Sequence, residues 1–322
     1  MNANSKARLI IDASEREPDL LWASGFLAVD TFTWLEDSRG SAIMLTDLEF
    51  GRGEKEASVD EVISYSAMDE LARGDNQQPV PFEQIVLTML RTREVTEVDV
   101  PARFPVKVAD HLRAGGITVT PCADPFFPRR AIKRADEITY IEQSQAATEA
   151  SMEMAIDAVA RSEPGDDGAL QLDGEALTSE RLKGMVRSFL LERGFQIPSL
   201  IIAPGDQGCD PHDVGSGPLH AGETIIIDIY PQHMTHRYWG DMTRTVVRGG
   251  ATDEQKQIHA AVREAQQRAI DLIRPGASGD AIHREVQEIF LKAGFATEKR
   301  NGRWVGFFHG TGPGLGLDIH EP

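Results

Sequence analysis

One stretch, residues 222–249, constrains the fold more than any other part of the chain. Residues 224–230, TIIIDIY, are almost continuously apolar and β-branched, which is typical of a buried strand. Residues 242–247 form a second strand-like run, and a polar, turn-prone segment separates the two runs. The simplest structure is an antiparallel hairpin, which would bring Asp228 and Asp241 close together.

These two acids allow two interpretations. A carboxylate in a buried strand is costly without a cation, and two neighbouring carboxylates repel each other. A pair of divalent metal ions would supply the missing positive charge. Alternatively, Arg244, three residues past Asp241, pairs with either acid in a purely structural ion pair. The hairpin alone leaves both interpretations open.

The composition excludes several classes of function. The chain has 322 residues and a formal net charge of −18, which argues against binding to nucleic acid or to anionic membrane surfaces. Its two cysteines, Cys122 and Cys209, form neither a disulfide framework nor a thiolate metal site. The first residues lack the apolar stretch of a secretion signal, and no run is long enough to span a membrane. We therefore expect a cytoplasmic protein.

The pattern of strands and helices predicts two domains. Residues 1–130 alternate strand-like and helix-like runs, as in a small α/β domain. Residues 131–322 contain a long helical run from about Asp136 to Arg161, the hairpin and two further amphipathic helices, which favours an α+β fold with helices on one side of a curved sheet. The first of these two late helices should begin at a Thr252 capping box and bury Ile258, Val262, Ala265 and Ala269.

Histidines and glycines concentrate near the C-terminus. His212 lies in a turn-rich run, and His309 and His320 bracket the segment HGTGPGLGLDIH. Alternating glycines there allow close approach of a ligand or another backbone. His233 and His236 fall in the hairpin tip, where we expect a solvated loop.

Three segments together resemble the pita-bread metallopeptidases, which include Xaa-Pro aminopeptidase, Xaa-Pro dipeptidase and methionine aminopeptidase. Residues 222–249 resemble their metal-site hairpin, residues 309–321 resemble their HGxGHGxGLxxHE motif, and residues 210–228 resemble the stretch that leads into the hairpin. The N-terminal domain is similar to the creatinase-type domain of the Xaa-Pro branch. The resemblance implies a pita-bread catalytic domain behind a smaller α/β domain.

The resemblance also implies roles for five residues. Asp228 matches the aspartate that chelates one metal, and Asp241 matches the aspartate that bridges two. His212, His309 and His320 match histidines that line the substrate site. In the family, two divalent ions, commonly Mn, Co or Zn, share a hydroxide that attacks the peptide bond. Short peptides with proline in the second position would be the substrates, and a homodimer the expected assembly.

This sequence departs from the family pattern in two places. Pro313 stands where the family has a metal-binding histidine, and the two glutamate ligands of the family would follow beyond Pro322. The resemblance thus matches two of the five metal ligands, and it predicts a C-terminally incomplete domain with weak metal binding.

Three functions follow from these observations. The first is a metal-dependent exopeptidase for Xaa-Pro peptides with impaired activity. The second is a non-catalytic binding protein on the same fold, which the lost ligands favour. The third is a metal-free, creatinase-like C–N hydrolase in which His212 carries the proton.

Overall fold

The chain divides into two compact units. The structure is a computed structural model that describes residues 6–75 and 78–321. The units are Met1–Lys133 and Arg134–Pro322, a division close to the boundary after residue 130 that the sequence predicts.

A mixed sheet forms the centre of the N-terminal unit. Its described strands are β1 (Ala7–Asp12), β2 (Phe32–Asp37), β3 (Gly40–Leu45), β4 (Glu61–Ser64), β5 (Glu97–Pro101) and β6 (Thr118–Cys122). Its helices are α1 (Pro18–Ser24), α2 (Asp47–Glu56), α3 (Tyr65–Arg73), α4 (Phe82–Thr92) and α5 (Val106–Ala114), followed by a 3₁₀ turn at Pro128–Ala131. The strand order is β4-β3-β2-β1-β5-β6. Strands β1, β2 and β3 pair antiparallel, and the remaining pairs are parallel.

Both faces of this sheet are covered. Leu9 and Ile11 on β1 belong to one apolar cluster, while Ile10 between them belongs to another. Successive side chains of a strand point to opposite faces, so a strand buried on both faces reads as continuously apolar. The α/β character predicted for this part of the chain is confirmed.

The C-terminal unit is larger. Its described helices are α6 (Ala135–Arg161), α7 (Ser179–Leu191), α8 (Asp253–Leu272) and α9 (Gly279–Lys292), with a 3₁₀ turn at Gly205–Cys209. Its strands are β7 (Glu163–Pro164), β8 (Leu170–Leu172), β9 (Glu175–Ala176), β10 (Phe195–Gln196), β11 (Ile201–Pro204), β12 (Thr224–Ile229), β13 (Gln232–His233), β14 (Met242–Val247), β15 (Glu298–Arg300) and β16 (Arg303–Val305).

The antiparallel sheet β11-β12-β14 carries the predicted hairpin. Ile225, Ile227 and Ile229 on β12 are fully buried in a core that they share with α6 and α7. The alternate residues, Ile226 and Asp228, are only half-buried on the opposite face. Helices therefore cover one face of this strand, as the sequence predicts for the sheet, and the other face is open where Asp228 lies.

Helices α8 and α9 pack against each other, but few of their side chains are buried. The predicted capping box forms, since Thr252 Oγ1 accepts from the Gln255 amide and Gln255 Oε1 accepts from the Thr252 amide. Ala261, Ala265 and Val286 are buried, but Ile258 and Val262 are 44% and 47% exposed. The predicted burial of Ile258 and Val262 is wrong because helical periodicity identifies a shared face but not whether another element covers that face.

Candidate active site

The β12–β14 hairpin sets the positions of the two acids. Asp228 pairs with Thr243 across the strands, and Asp241 directly precedes β14. The Thr243 hydroxyl donates a 2.5 Å hydrogen bond to Asp228 Oδ1. The antiparallel hairpin predicted from the sequence is confirmed, and it brings both acids to the same end of the strand pair.

Neither acid has an arginine partner among the described residues. The Arg244 guanidinium donates to the carbonyl oxygen of Thr243 at 2.8 Å and forms no ion pair with Asp228 or Asp241 in the described part of the chain. The structural salt bridge considered as an alternative therefore does not form here.

The environment disfavours the charged form of both acids. Desolvation raises the pKa of Asp228, while the Thr243 hydroxyl, His320 and His212 act in the opposite direction. Although Asp241 is exposed by surface area, desolvation and the nearby charge of Asp228 raise its pKa to about 6. Desolvation and the neighbouring like charge together produce this shift, and a bound cation would oppose it.

Helix α6 holds the base of the hairpin in place. Ser144 Oγ donates to the Tyr238 carbonyl at 2.9 Å, and the Asp241 amide donates to Gln145 Oε1 at 3.2 Å. Gly240 lies so close to the helix that a Cβ there would be 2.5 Å from the Ser144 carbonyl oxygen. Glycine at this position therefore permits the backbone contact that fixes Asp241 next to α6.

The hairpin also holds the C-terminal loop that carries His320. The Trp239 amide donates to the Gly316 carbonyl at 3.0 Å, and its indole Nε1 donates to the Leu317 carbonyl at 2.9 Å. Gly314 and Glu321 exchange two backbone hydrogen bonds of 2.9 and 2.7 Å. These contacts bring the end of the glycine-rich segment to the strand that carries Asp228.

Four of the five predicted site residues line one cavity, which we call the histidine cleft. It has a volume of about 840 Å³, and its walls include His212, His309, His320 and Asp228, together with Thr243 and Pro313. Asp241 does not line this cavity, although Asp228 and His320 both affect its pKa. Sequence reasoning missed Thr243, whose only signal was its place directly across an antiparallel pair from Asp228.

The hydrogen bond of His309 fixes its tautomer. His309 Nδ1 lies 2.9 Å from the carbonyl oxygen of Gly310. A carbonyl oxygen only accepts, so Nδ1 must carry the proton, and in the neutral ring Nε2 keeps its lone pair. Nε2 is thus the atom of His309 that can accept a proton or a hydrogen bond in the cleft.

The hairpin tip differs from the solvated loop that we expected. The rings of His233 and His236 stack with centroids 3.8 Å apart, and Tyr140 of α6 stacks on the other face of His236 at 4.6 Å. Both histidines are half-buried, and burial together with the neighbouring His233 lowers the pKa of His236 to about 4. The tip is therefore a packed aromatic cluster.

The two carboxylates fit a divalent cation in their chemistry but do not complete a site. Carboxylate oxygens are ligands that hard divalent ions prefer, and desolvation raises the pKa of both Asp228 and Asp241, so a nearby positive charge would stabilise their charged forms. Within residues 6–75 and 78–321, however, no three His, Cys, Asp or Glu side chains gather so that they could hold a metal ion. The side chains described here therefore do not form a metal site by themselves.

Comparison with known proteins identifies relatives of the C-terminal unit. Residues 139–322 match the model of metallopeptidase family M24. The chain is 27% identical over 195 residues to an Xaa-Pro dipeptidase of Pyrococcus furiosus, covering 60% of this chain and 49% of that protein. It is 35% identical over 136 residues to Xaa-Pro aminopeptidase 1 of Streptomyces coelicolor, covering 38% of this chain and 27% of the relative. The chain thus spans about half the length, or less, of these curated relatives.

Solved structures confirm the predicted fold. The prolidase of Pyrococcus furiosus superposes with a TM-score of 0.75 at 20% identity, covering 98% of this chain and 81% of that chain. The X-Pro aminopeptidase of Thermotoga maritima gives a TM-score of 0.76 at 19% identity, with the same coverage. The fold is therefore the pita-bread fold preceded by a smaller N-terminal domain.

None of the helices in the described residues combines the length and the apolar character that are needed to cross a membrane.

The family model covers more than half of the chain, and the hairpin and the histidine cleft are both inside the matched part. The chain belongs to metallopeptidase family M24.

Proposed function

We propose that this protein is a proline-directed exopeptidase that binds short Xaa-Pro peptides in the histidine cleft. One observation carries the proposal: in a chain of family M24, His212, His309, His320 and Asp228 line a single cavity of about 840 Å³. That volume is within the range of sites that bind small ligands. The Xaa-Pro dipeptidase and Xaa-Pro aminopeptidase relatives support the class of substrate.

The three histidines would bind the peptide and move protons. His309 would act through Nε2, which keeps its lone pair because Nδ1 donates to Gly310. His212 and His320 lie close enough to Asp228 to lower its pKa when they are charged, so each can also place positive charge or a hydrogen-bond donor beside a substrate carbonyl.

Asp228 and Asp241 would hold a divalent cation. Such an ion supplies Lewis-acid chemistry, since it polarises a carbonyl group and makes water more acidic. Members of the family depend on divalent metals in general, whereas the centre of two Mn, Co or Zn ions that the resemblance implies stays a prediction. Because the described donors are few, we expect metal affinity to be low.

Peptide hydrolysis with matched variants tests this function. We expect the full chain with added Mn²⁺ to cleave Ala-Pro or Ala-Pro-Ala, but not Ala-Ala, and Asp228→Asn to lose the activity. Asp166→Asn is the control, because Asp166 is exposed and lies outside the cleft. Turnover of Xaa-Pro peptides that is no faster with wild type than with Asp228→Asn would refute the proposal.

A readout that does not depend on turnover tests the cation. Mn²⁺ should raise the melting temperature of the wild type by binding only the folded state, and it should do so less for Asp241→Asn. Equal shifts in wild type, Asp241→Asn and Asp166→Asn would mean that the two acids do not hold the ion.

A second candidate function is peptide binding without catalysis. It is favoured by Pro313 in the wall of the cleft, which offers no donor, and by the lack of a three-donor cluster within the described residues. Calorimetric binding of Ala-Pro without hydrolysis, both with and without Mn²⁺, would favour this candidate over the peptidase.

The homodimer and the cytoplasmic location stay predictions. Sedimentation of the purified chain tests the first, and fractionation of the source cells tests the second.

A further inference from the structure

Residues 309–312 form a wall between two cavities. On one side is the histidine cleft, and on the other is an apolar cavity of about 440 Å³ whose lining includes Val262, Ile282 and Phe290. The position of this short segment therefore determines where His309 lies in the cleft.

The segment has little local structure to hold it. Gly310 and Gly312 have no neighbouring atom within 4 Å of the place where a Cβ would be, and Gly312 has a φ of 58°. Backbone of this kind is conformationally permissive, so contacts from elsewhere must select one conformation.

One side chain from a helix makes such a contact. His283 of α9 has its Nδ1 2.8 Å from the Thr311 hydroxyl. Among the residues that the structure describes, this is the one hydrogen bond that ties residues 308–313 to a helix. No pattern in the sequence indicates this contact, because the two residues are 28 positions apart.

The same histidine reaches His309 by a second route, through an aromatic ring. The centroids of the His283 and Phe307 rings are 5.5 Å apart, and the His309 and Phe307 rings make an edge-to-face contact with centroids 4.4 Å apart. Thr297 Oγ1 anchors the Phe307 backbone with hydrogen bonds of 3.0 and 2.9 Å. The Phe307 ring thus lies between His283 of α9 and His309, and it contacts both rings.

We propose that His283 is a positioning residue for His309. It fixes the Thr311 hydroxyl directly and packs on the ring that supports His309, so that His309 Nδ1 stays on the Gly310 carbonyl and Nε2 stays available in the cleft. The proposal rests on the proposed peptidase function for its kinetic consequence, but its structural consequence can be measured without activity.

Two variants remove the contact by different means. His283→Phe keeps a ring against Phe307 but loses Nδ1, and Thr311→Val keeps the shape of the side chain but loses the hydroxyl. Each should lower kcat for Ala-Pro-Ala by about tenfold or more with a smaller change in KM. The double variant should lose no more than either single variant, because both remove one interaction. His283→Asn, whose amide can take the place of Nδ1, should recover most of kcat.

Histidine ¹⁵N NMR of the full chain gives the second readout. In the wild type, His309 should show a proton on Nδ1, whereas a solvated imidazole prefers its proton on Nε2. His283→Phe and Thr311→Val should shift His309 toward the Nε2-protonated form. His259→Phe, an exposed histidine on the neighbouring α8, is the control and should change neither the tautomer nor kcat.

The outcomes separate the two proposals. A wild type that does not cleave Xaa-Pro peptides refutes the peptidase, and the tautomer of His309 then decides alone whether His283 positions it. If His283→Phe leaves the His309 tautomer as in His259→Phe, the positioning role of His283 is refuted. A changed tautomer with kcat at the wild-type value would instead refute the kinetic consequence, because the reaction would then not depend on His309 Nε2.

Discussion

At the scale of single residues, the carboxyl group of Asp241 lies in surroundings that disfavour its charged form. Its pKa of about 6 follows from desolvation and from the charge of Asp228. A folded-state pKa above the usual 3.8 means that ionising the group opposes folding. The resulting loss of stability begins near pH 3.8, grows until about pH 6 and is constant at higher pH.

Replacing this acid should therefore stabilise the protein when no metal is added. Asp241→Asn removes the charge and keeps the shape, and we expect its melting temperature at pH 7.5 to exceed that of the wild type by about 2–4 °C, the change that roughly 1 kcal/mol causes in a unit of this size. The advantage should be much smaller at pH 4.5. Thermal unfolding in a chelating buffer at both pH values measures it.

Asp166→Asn serves as the control, because the environment of this exposed acid includes neither the cleft nor the hairpin. Should Asp241→Asn melt at the same temperature as Asp166→Asn at pH 7.5, the two carboxylates do not repel each other appreciably in the folded chain.

At the scale of secondary-structure elements, the connection from β11 to β12 carries His212 and depends on one glycine. Gly215 has a φ of 78°, and a Cβ there would overlap the carbonyl oxygen of Ile202. The buried Lys183 amine donates to the Gly215 carbonyl at 2.7 Å. This connection is therefore packed directly onto β11.

Gly215→Ala should destabilise the C-terminal unit by about 1–3 kcal/mol more than Gly217→Ala. The two glycines have the same φ of 78°, so an alanine at either position has the same unfavourable backbone conformation. A Cβ at Gly217, however, would meet no atom within 4 Å. Urea unfolding followed by tryptophan fluorescence measures the difference. Equal urea midpoints for the two variants would show that the connection can move away from β11.

Local patterns predicted the elements well, because they depend on neighbours in sequence. The second hairpin strand was predicted at its observed ends, Met242–Val247, and the long helix before it was predicted within one residue of its start at Ala135. The three cleft histidines and Asp228 were also predicted, since they are part of two specific motifs, and the structure brings them to one cavity.

Contacts between distant segments could not be predicted in this way. The hydrogen bond from α9 to Thr311 and the stacking of Tyr140 on His236 join residues far apart in sequence, and no periodicity indicates either contact. The exposure of Ile258 and Val262 was missed for the same reason, because burial depends on the element that packs opposite.

At the scale of the whole molecule, the exposed apolar side chains on α8 and the high net charge have opposite effects on self-association. Ile258, Val262 and Ile270 are all exposed on this helix, and clustered apolar surface of this kind favours association. The net charge of −18 opposes it at low ionic strength. We therefore expect the weight-average mass in solution to increase with protein concentration, and to increase further at high salt, where charges are screened over about 3–10 Å.

Val262→Lys combined with Ile270→Lys should lower this association in sedimentation experiments. The two lysines make the net charge less negative, so a decrease must come from the lost apolar surface. Leu48→Lys with Val106→Lys is the matched control, because it makes the same charge change at exposed apolar positions on other helices. Similar masses for the two double variants would mean that α8 is not the contact surface.

The wall at residues 309–312 has a practical consequence for protein engineering. One side of it faces the histidine cleft and the other faces the apolar cavity, so a substitution there changes the volumes of both cavities. Replacing Thr311 with a smaller residue would enlarge the histidine cleft for a bulkier peptide. The same substitution would also enlarge the apolar cavity next to α9. A redesign of substrate preference would have to remodel both compartments in the same round, with compensating bulk chosen from the α9 side.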